Sequence, residues 1–329
     1  MTGLTLVTGA TGFIGRHLVR RLVDEGRAVR VFVRHPELLE DEVRHRLEVV
    51  RGDVRDERAL RAAVQDAHTV LHLAGLARVW VRDSAEFTTV NVRAVDHLLD
   101  AACCAHVERL VHISTILTLP PYRRASVNGV AQRPTPYEVS KLAGERLVES
   151  YAAGGRHAVI VHPTRVLGPG PLNDANAVTR IIALYLRGRF WFRLEDGDVL
   201  ANYVHVEDVA AGILLAGRHG RPGAHYLLGG ENVSFREFLS LVDETAGVKR
   251  RVLALPRAAA LAAARAADLW GQLGGTPPIT PGWVRVFLED RRVDVEPTRR
   301  ELGYAPRSLR ETVAQTIAWL TGRDGRLAA

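Results

Sequence analysis

The stretch LTLVTGATGFIG, from Leu4 to Gly15, joins a short apolar run to three regularly spaced glycines. The run predicts a β-strand, and the amphipathic residues after it predict a helix that continues to about Glu25. Gly9 allows a tight turn, Gly12 lets the backbone approach a ligand, and Gly15 lets the helix pack on the strand. A strand, this spacing and a helix together predict binding of a dinucleotide pyrophosphate at the helix N-terminus. The predicted contact residues of this turn are Gly9, Thr11, Gly12, Phe13, Ile14 and Gly15.

The first half of the chain alternates strand-like and helix-like segments. Short runs rich in β-branched residues read LTLV, AVRVFV, LEVV, TVLHL and RLVHI, and amphipathic stretches such as DERALRAAVQDA separate them. Strands that alternate with helices predict right-handed crossovers and therefore a parallel, doubly wound α/β sheet of the Rossmann type. Ligands of such sheets lie beyond the carboxyl ends of the strands, so the residues after each strand are candidates for binding.

Three further strand ends carry residues suited to a dinucleotide. Arg34 follows the second strand, where an acidic residue usually accepts a hydrogen bond from the adenosine ribose. A guanidinium cannot accept that bond but suits a 2′-phosphate, so the sequence predicts NADP, with NAD as the alternative. Asp53, with Val54 beside it, follows the third strand and can accept a hydrogen bond from the adenine amino group. The residues expected to leave room for the cofactor after the fourth strand are Leu73, Ala74 and Gly75.

Composition excludes several classes of protein. The 329 residues carry a net charge of +7, but arginines alternate with acids instead of forming a basic stripe, so no nucleic-acid partner is predicted. No apolar run approaches the roughly 20 residues that a membrane-spanning helix needs. The chain enters its first strand almost at once, which leaves no room for a signal peptide and predicts a cytoplasmic location. Cys103 and Cys104 are adjacent and offer no metal-ligand spacing, so no metal site is predicted.

Further motifs occur along the chain in a consistent order. They are TGATGFIG, GDVRD, HLAG, the VNVRAV segment around Asn91, VHIST, PYEVSK, HPTRVLGPG and NYVHVEDVA. In this order they resemble the extended short-chain dehydrogenases/reductases, the NAD(P)-dependent epimerase/dehydratase type, over nearly the whole chain. The segments HLAGLARVWVRDSAEFTTVNV and YLLGGENVSFREFL are most similar to the dihydroflavonol-reductase-like and hopanoid-associated sugar epimerase-like branch.

The resemblance implies catalytic roles for residues of VHIST and PYEVSK. It makes Tyr137 the acid or base at the substrate oxygen, and it makes Lys141 the group that holds the nicotinamide ribose. Four residues apart on a helix, the two side chains share one face, where an ammonium and an oxidised nicotinamide together stabilise a phenolate. The third catalytic group is a hydroxyl after the fifth strand, and Thr115 is predicted ahead of Ser114.

The resemblance also implies a smaller, discontinuous C-terminal substrate lobe. The cofactor domain is expected at residues 1–167 and the lobe at 168–329, with about 200–230 returning to the first domain. Pro163 and Val166 match family positions that contact the nicotinamide. Aromatic candidates for the substrate cleft, for which core packing is the commoner role, are Trp80, Trp191, Phe192, Trp270 and Trp283.

The leading functional prediction is an NADP-dependent oxidoreductase that transfers hydride between the nicotinamide and a carbonyl or alcohol. The alternatives are a nucleotide-sugar epimerase or dehydratase with tightly bound NAD(P), and a non-catalytic dinucleotide-sensing or assembly protein. The Tyr137 and Lys141 pair argues against the last, because a sensor needs no proton donor. Expected partners are a small carbonyl, alcohol or nucleotide-sugar substrate, and the resemblance is compatible with a homodimer. His112, His162 and His205 are expected to hydrogen-bond to backbone and to take no part in chemistry.

Overall fold

The computed structural model describes residues 3–322 except for residues 79, 122–125, 128–129, 132–133, 195–198 and 278. Within these residues, no helix is both long enough and apolar enough to cross a membrane. The strands, in chain order, are β1 (Thr5–Thr8), β2 (Val29–Val33), β3 (Glu48–Arg51), β4 (Thr69–His72), β5 (Arg109–Ile113), β6 (Ser126–Val127), β7 (Val130–Ala131), β8 (Ala158–Pro163), β9 (Arg165–Leu167), β10 (Phe192–Leu194), β11 (Leu200–His205), β12 (His225–Leu228), β13 (Glu231–Ser234) and β14 (Leu253–Leu255). The helices are α1 (Phe13–Asp24), α2 (Asp41–Arg44), α3 (Glu57–Val64), α4 (Ala85–Thr88), α5 (Ala94–Cys104), α6 (Pro136–Ala153), α7 (Ala177–Leu186), α8 (Val206–His219), α9 (Phe235–Ala246), α10 (Arg257–Gln272), α11 (Pro281–Leu288), α12 (Glu296–Leu302) and α13 (Leu309–Gly322).

Among the described residues, seven parallel strands form the central sheet in the order β12-β8-β5-β4-β1-β2-β3. Val7 of β1 pairs with Val31 of β2 on one side and with Leu71 of β4 on the other. The strand order therefore reverses at β1, which is where a doubly wound sheet opens a crevice for a ligand. This topology confirms the α/β Rossmann fold predicted from the alternation of strands and helices.

Helices cover both faces of the central sheet. On one face α1 and α8 pack together, and Leu18, Val31 and Val209 are fully buried there. On the other face α3 packs on α5, and α5 packs on α6, around the buried Leu60 and Leu98. Burial of each such side chain stabilises the fold by about 1.5–3 kcal/mol. The inner strands β1, β4 and β8 are buried along their whole length because neither of their faces meets water.

The later part of the chain builds a second core. Strands β13, β11 and β9 form another sheet in that order, and α7, α9 and α13 pack around it. The rings of Tyr203 and Phe238 stack in this core with their centroids 4.5 Å apart. Within residues 200–230, β11 belongs to this sheet, whereas α8 and β12 join the central one. The exact division into two domains stays a prediction.

The helical segment between β4 and β5 contains an irregular turn. In the amphipathic stretch AEFTTVNVRAVDHLLDAACCA, Thr89–Arg93 form a π-helical turn between α4 and α5. Asn91 is buried in this turn, and its carbonyl oxygen lies so close to Gly144 of α6 that a side chain there would overlap it. A π-helical turn shifts the helix register by one residue, which changes the direction of the side chains it carries.

Candidate active site

The turn between β1 and α1 has the backbone of a dinucleotide cradle. Gly9 has φ of +73°, in the left-handed region that favours glycine, and a side chain there would lie 2.6 Å from the backbone nitrogen of Ala74. At Gly15 a side chain would overlap the carbonyl oxygen of Gly9. Gly12 is the N-cap of α1, and a glycine offers no side-chain acceptor to the first-turn N–H groups. These groups and the helix dipole fit the pyrophosphate of a dinucleotide.

A cleft extends from this turn across the carboxyl edge of the central sheet. Its walls come from the β1–α1 turn, the ends of β4, β5 and β8, and the first turns of α6. The structure therefore brings residues from five separate sequence motifs to one place. The predicted residues that line the cleft are Gly9, Gly12, Phe13, Ile14, Gly15, Leu73, Gly75, Thr115, Tyr137, Lys141, Pro163 and Val166.

In the described part of the chain, the predicted cofactor residues outside this lining are Thr11, Arg34, Asp53, Val54 and Ala74. Arg34 follows β2 and Asp53 follows β3, and a guanidinium nitrogen of Arg34 lies 4.0 Å from the Asp53 carboxylate. The Arg34 side chain is 64% exposed, so a phosphate can reach it from solvent. Asp53 accepts two hydrogen bonds from the Arg55 guanidinium, which lower the pKa of its carboxyl and keep it ionised.

Tyr137 and Lys141 lie one turn apart near the start of α6. The helix begins after Thr135, whose hydroxyl accepts from the N–H of Glu138, while the Glu138 carboxylate accepts from the N–H of Thr135. Lys141 is buried, and its ammonium donates to the carbonyl oxygen of Ile113 at 2.7 Å. Since Ile113 is the last residue of β5, this bond fixes the helix to the strand end beside it.

Burial has the largest effect on the pKa values of Tyr137 and Lys141. It raises the pKa of Tyr137 to about 12, against a hydrogen bond with Thr115 that lowers it. It also lowers the pKa of Lys141 to about 8, against the nearby charge of Glu145. The raised phenol pKa is opposite to the lowering expected from a neighbouring ammonium, and it keeps Tyr137 protonated at neutral pH. A protonated phenol is the form that donates to a substrate oxygen.

The two hydroxyl groups that follow β5 have different partners. The Ser114 hydroxyl is buried and donates to the carboxylate of Glu145. The Thr115 hydroxyl bonds with Tyr137 and accepts from the N–H of Leu117 at 3.3 Å. Thr115, rather than Ser114, therefore has the hydroxyl that contacts Tyr137.

Asn91 forms hydrogen bonds with two walls of the cleft. Its segment VNVRAV was one of the motifs of the family resemblance, but no role was predicted for Asn91 itself. Its side-chain oxygen accepts from the N–H of Leu76 at 2.8 Å, and its amide donates to the Leu76 carbonyl oxygen at 3.2 Å. The same amide donates to the hydroxyl of Ser140, the neighbour of Lys141, at 3.0 Å. Asn91 thus connects the loop after β4 to α6. Periodicity could not reveal this, because the π-helical turn directs the side chain.

Beyond Tyr137 the cleft continues into a second half. Two of its polar side chains already have partners: the Thr164 hydroxyl donates to Asn202 at 2.9 Å, and the Arg165 guanidinium lies 4.8 Å from the ring centroid of Phe287. The second half is therefore a mainly apolar chamber. The apolar side chains that line it are Ile116, Leu117, Val178, Ile181, Trp283, Val286 and Phe287.

The five aromatic candidates for the substrate cleft lie in four different environments. Trp283 lines the apolar half of the cleft, so it has the predicted role in the substrate cleft and not the alternative role in the core. Trp191 and Trp270 are 56% and 53% exposed, so the expectation that such rings pack in the core is wrong for them. Phe192 packs on other rings, with its centroid 5.3 Å from that of Phe190. Trp80 lies beside Gly271 at the end of α10.

A buried charge cluster connects α6 to the elements that follow α10. Arg285 of α11 donates to Glu138 and to Glu289, and Arg291 donates to Glu289 and lies 3.5 Å from Glu138. All four side chains are at most 6% exposed, and their charges cancel. Arg291 also donates to the carbonyl oxygen of Ile116, just after Thr115 in the chain. The cluster therefore positions both the helix of Tyr137 and the loop of Thr115.

Hydrogen bonds to backbone were expected for His112, His162 and His205, and they are present at two of these three positions. His205 Nδ1 accepts from the N–H of Glu207 at 3.1 Å, and His162 Nδ1 faces the Thr115 carbonyl oxygen at 3.1 Å. His112 is buried and has no hydrogen-bond partner among the described residues, so the expected backbone bond is wrong there. Burial lowers the pKa of His112 well below its ordinary value and keeps the ring neutral.

A Rossmann sheet, a glycine turn after its first strand and a tyrosine and lysine pair in one cleft define the class of nicotinamide-dependent short-chain dehydrogenases/reductases. The chain belongs to the NAD-dependent epimerase/dehydratase family, whose family model matches residues 5–229.

Three similar proteins illustrate the range of this family. A 4-hydroxy-2-methyl-3-oxo-4-farnesyl-3,4-dihydroquinoline-1-oxide ketoreductase from Stigmatella aurantiaca is 31% identical, with 92% of each chain covered. A putative dihydroflavonol 4-reductase from Synechocystis sp. is 27% identical, with 97% of this chain and 95% of the relative covered. The structure of a UDP-glucose 4-epimerase from Thermus thermophilus in complex with NAD superimposes with a TM-score of 0.74, at 26% identity, covering 97% and 99% of the two chains. The family thus includes both reductases and epimerases.

Proposed function

We propose that this protein is an NADP-dependent reductase that converts an apolar ketone or aldehyde to the alcohol, or catalyses the reverse oxidation. The observation that carries the proposal is the position of Tyr137 and Thr115, which line both the glycine-lined half of the cleft and the apolar half. Bound NADP supplies or accepts the hydride at its nicotinamide. The ketoreductase name of the Stigmatella relative supports the reaction type.

Three side chains have distinct tasks in this proposal. Tyr137 donates its phenolic proton to the substrate oxygen as negative charge develops there. The Thr115 hydroxyl, which bonds with the phenol in the free protein, donates its hydrogen to the same oxygen once substrate is bound. Lys141 holds the ribose hydroxyls and provides a positive charge near the phenolate left behind. With a pKa of about 8, Lys141 is mostly charged at neutral pH.

The cofactor is proposed to lie along the carboxyl edge of the central sheet. The first turn of α1 binds the pyrophosphate through backbone N–H groups. Arg34 binds the 2′-phosphate, and Asp53 accepts from the adenine amino group. The other proposed contacts are Thr11, Val54, Leu73, Ala74 and Gly75 along the adenosine and phosphates, and Pro163 and Val166 at the nicotinamide.

Arg34→Asp should reduce or invert a preference for NADPH over NADH. A charge-assisted contact with the 2′-phosphate is worth about 1.5–3 kcal/mol, or one to two decades in affinity. Titration of the unmodified protein and the variant with both cofactors measures the effect. Arg58→Asp, an equal charge change at an exposed position on α3, is the matched control and should leave the preference unchanged. Equal affinities for NADPH and NADH in the unmodified protein would contradict the proposal.

The apolar half of the cleft favours a ketone with apolar substituents over a nucleotide sugar. A nucleotide sugar brings two phosphate charges and several hydroxyl groups, and these need unengaged polar partners. Here Arg165 already donates to the Tyr203 hydroxyl at 3.1 Å and lies against Phe287, and Arg291 belongs to the buried charge cluster. A homodimer and a cytoplasmic location stay predictions.

Cofactor behaviour separates the reductase from the epimerase alternative. A reductase must exchange its nicotinamide cofactor at every turnover, whereas an epimerase regenerates a cofactor that stays bound. NADPH oxidation is to be followed with a panel of apolar ketones and aldehydes and, in parallel, with nucleotide sugars. The proposal expects NADPH that dissociates freely and is consumed with a ketone. Nicotinamide that copurifies without exchange, together with interconversion of a sugar nucleotide, would favour the epimerase.

Thr115→Val should lower turnover by something like a hundredfold, because one donor to the developing oxyanion is lost. The valine keeps the shape and burial of the threonine, so NADPH affinity should change little. Ser114→Ala is the matched control on the neighbouring residue, and turnover should fall much less, because the Ser114 hydroxyl is bonded to Glu145. Turnover and NADPH affinity are measured for both variants. The reverse ranking of the two variants would show that Ser114 is the catalytic hydroxyl.

A further inference from the structure

Two histidines lie beneath the catalytic helix and hydrogen-bond to each other. His162 of β8 and His225 of β12 come from neighbouring parallel strands of the central sheet, and His162 Nε2 lies 3.0 Å from His225 Nδ1. His162 is fully buried, whereas a third of the His225 side chain is exposed. Glu149 of α6 is half exposed, and its carboxylate lies 3.2 Å from His225 Nε2. Glu149, His225 and His162, here called the histidine bridge, therefore connect the surface to the interior.

The surroundings of His162 Nδ1 require this nitrogen to carry a hydrogen. It lies 3.1 Å from the carbonyl oxygen of Thr115 and 3.3 Å from the hydroxyl of Thr118, which itself donates to that carbonyl. A carboxylate oxygen of Glu145 lies 3.7 Å from the same nitrogen. All three groups offer lone pairs, so Nδ1 donates to the Thr115 carbonyl oxygen. Burial lowers the pKa of His162, and a neutral imidazole has a single N–H, so its Nε2 presents a lone pair to the neighbouring ring.

His225 must then carry a hydrogen on each of its nitrogens. Its Nδ1 donates to the lone pair of His162 Nε2, and its Nε2 donates to the Glu149 carboxylate, which only accepts. A histidine with two N–H groups is a cation. Loss of one of these protons would either place two lone pairs face to face or turn His162 into the tautomer whose Nδ1 no longer donates to Thr115.

The charges around the two rings are compatible with a cation at His225. Burial has the largest effect on the pKa of His162 and lowers it, the charge of Glu145 raises it, and the charge of Lys141 lowers it. His112 of β5 lies nearby but is neutral, because burial lowers its pKa well below the ordinary value. The Lys141 ammonium and a protonated His225 are thus balanced by two carboxylates, that of Glu145 and the one at the surface end of the bridge.

We propose that the histidine bridge positions Thr115 for catalysis, and that it does so only while His225 carries both hydrogens. This inference rests on the proposed function, in which the Thr115 hydroxyl donates to the substrate oxygen. The carbonyl that His162 holds belongs to the same residue as that hydroxyl, and a catalytic group must be held within about 0.5 Å of its productive position. The three side chains are absent from the cleft lining that the structure describes, so they are positioning residues.

Nuclear magnetic resonance of the histidine rings tests the bridge without substrate or cofactor. The full-length protein, labelled with ¹⁵N and ¹³C, is titrated from about pH 5.5 to 9, the range in which histidines change charge. At the acidic end we expect hydrogens on both nitrogens of His225 and on Nδ1 alone in His162. As the pH rises, loss of one hydrogen from the pair should shift the carbonyl signal of Thr115 at the same pH. A hydrogen on Nε2 of His162 at the acidic end would overturn the proposal.

Turnover against pH tests whether the bridge serves catalysis. His225→Phe keeps the ring volume and removes both nitrogens, so turnover with NADPH and a ketone should fall about three- to tenfold at acidic pH, the contribution of one hydrogen bond. Affinity for NADPH should stay the same. The difference from the unmodified protein should disappear at alkaline pH, where that protein has also lost the proton. In Glu149→Gln the Thr115 contact should be lost at a lower pH, because the carboxylate that favours the cation is gone.

Glu108→Gln is the matched control for the bridge. Glu108 lies 3.0 Å from a ring nitrogen of His68 at the amino edge of the central sheet, away from the cleft. The substitution removes the same charge from another histidine and glutamate pair. Its pH profile of turnover should match that of the unmodified protein.

A constant ratio of turnover between the unmodified protein and His225→Phe at all pH values would mean that the bridge only packs, and it would refute the proposal. Absence of any ketone reduction would instead contradict the proposed function, and the hydrogen positions would still decide whether the bridge holds Thr115. Circular dichroism checks that each variant folds. Should His225→Phe fail to fold, Glu149→Gln decides the question, because Glu149 is half exposed and glutamine keeps its shape.

Discussion

Tyr137→Phe should lower turnover by about 10²–10⁴-fold, the usual contribution of a positioned general acid. The phenol is the group whose pKa burial raises to about 12, and it lies in the cleft beside the Thr115 hydroxyl. Phenylalanine keeps the ring and its packing on Phe87, whose centroid lies 6.1 Å away, but it has no proton to donate. The variant should therefore fold, bind NADPH with unchanged affinity and fail at the chemical step.

Tyr151→Phe is the matched control for this substitution. Tyr151 lies on the same helix and packs against the core on the far side of the sheet from α1, with the guanidinium of Arg156 5.1 Å from its ring centroid. Removal of its hydroxyl should leave turnover and NADPH affinity unchanged. Turnover that falls equally in both variants would mean that loss of a phenol perturbs α6 generally, and it would contradict the assignment of Tyr137 as the acid.

Glu138→Gln should lower the free energy of unfolding by about 3–5 kcal/mol, because it breaks a buried ion cluster by removing one charge. Arg285 and Arg291 would then share the single carboxylate of Glu289 and leave a positive charge buried without compensation. Glutamine keeps the shape of the side chain and can still accept from the N–H of Thr135, so the start of α6 should remain capped. Urea unfolding of the unmodified protein and the variant measures the difference.

Glu237→Gln separates the charge effect from the capping effect. Glu237 forms the same reciprocal cap with Ser234 at the start of α9, but it is exposed to solvent. This control should change the free energy of unfolding by less than about 0.5 kcal/mol, as surface substitutions usually do. Equal losses in the two glutamine variants would mean that the charge of the capping carboxylate, and not the buried cluster, accounts for the stability.

Local patterns were sufficient to predict five of the seven described strands of the central sheet, β1 to β5. The run Thr5–Thr8 is buried and rich in β-branched residues, and at Gly9, just after it, there is no space for a side chain. Four-residue spacing likewise places Tyr137 and Lys141 on one face, whatever the rest of the chain does. These predictions hold because the residues involved are close together in the sequence and backbone geometry alone sets their relative positions.

Contacts between distant residues could not be predicted in this way. Glu138 and Arg285 are 147 positions apart, and neither side chain differs in sequence from a solvated surface charge. The direction of Asn91 depends on a π-helical turn that the hydrophobic pattern of the helix does not record. The phenol pKa was predicted with the wrong sign for the protein alone, since the degree of burial of Tyr137 is a property of the folded cleft.

Hydride transfer from labelled cofactor shows whether this protein is a reductase. NADPH carrying deuterium at both hydrogen positions of nicotinamide C4 is incubated with the protein and an apolar ketone, and the alcohol released is analysed by mass spectrometry. The reductase account predicts deuterium on the carbinol carbon with the unmodified protein, and at least about a hundredfold slower labelling with Tyr137→Phe. Tight NADPH binding with no label transferred to any carbonyl compound of the panel, or equal transfer by Tyr137→Phe, would contradict it.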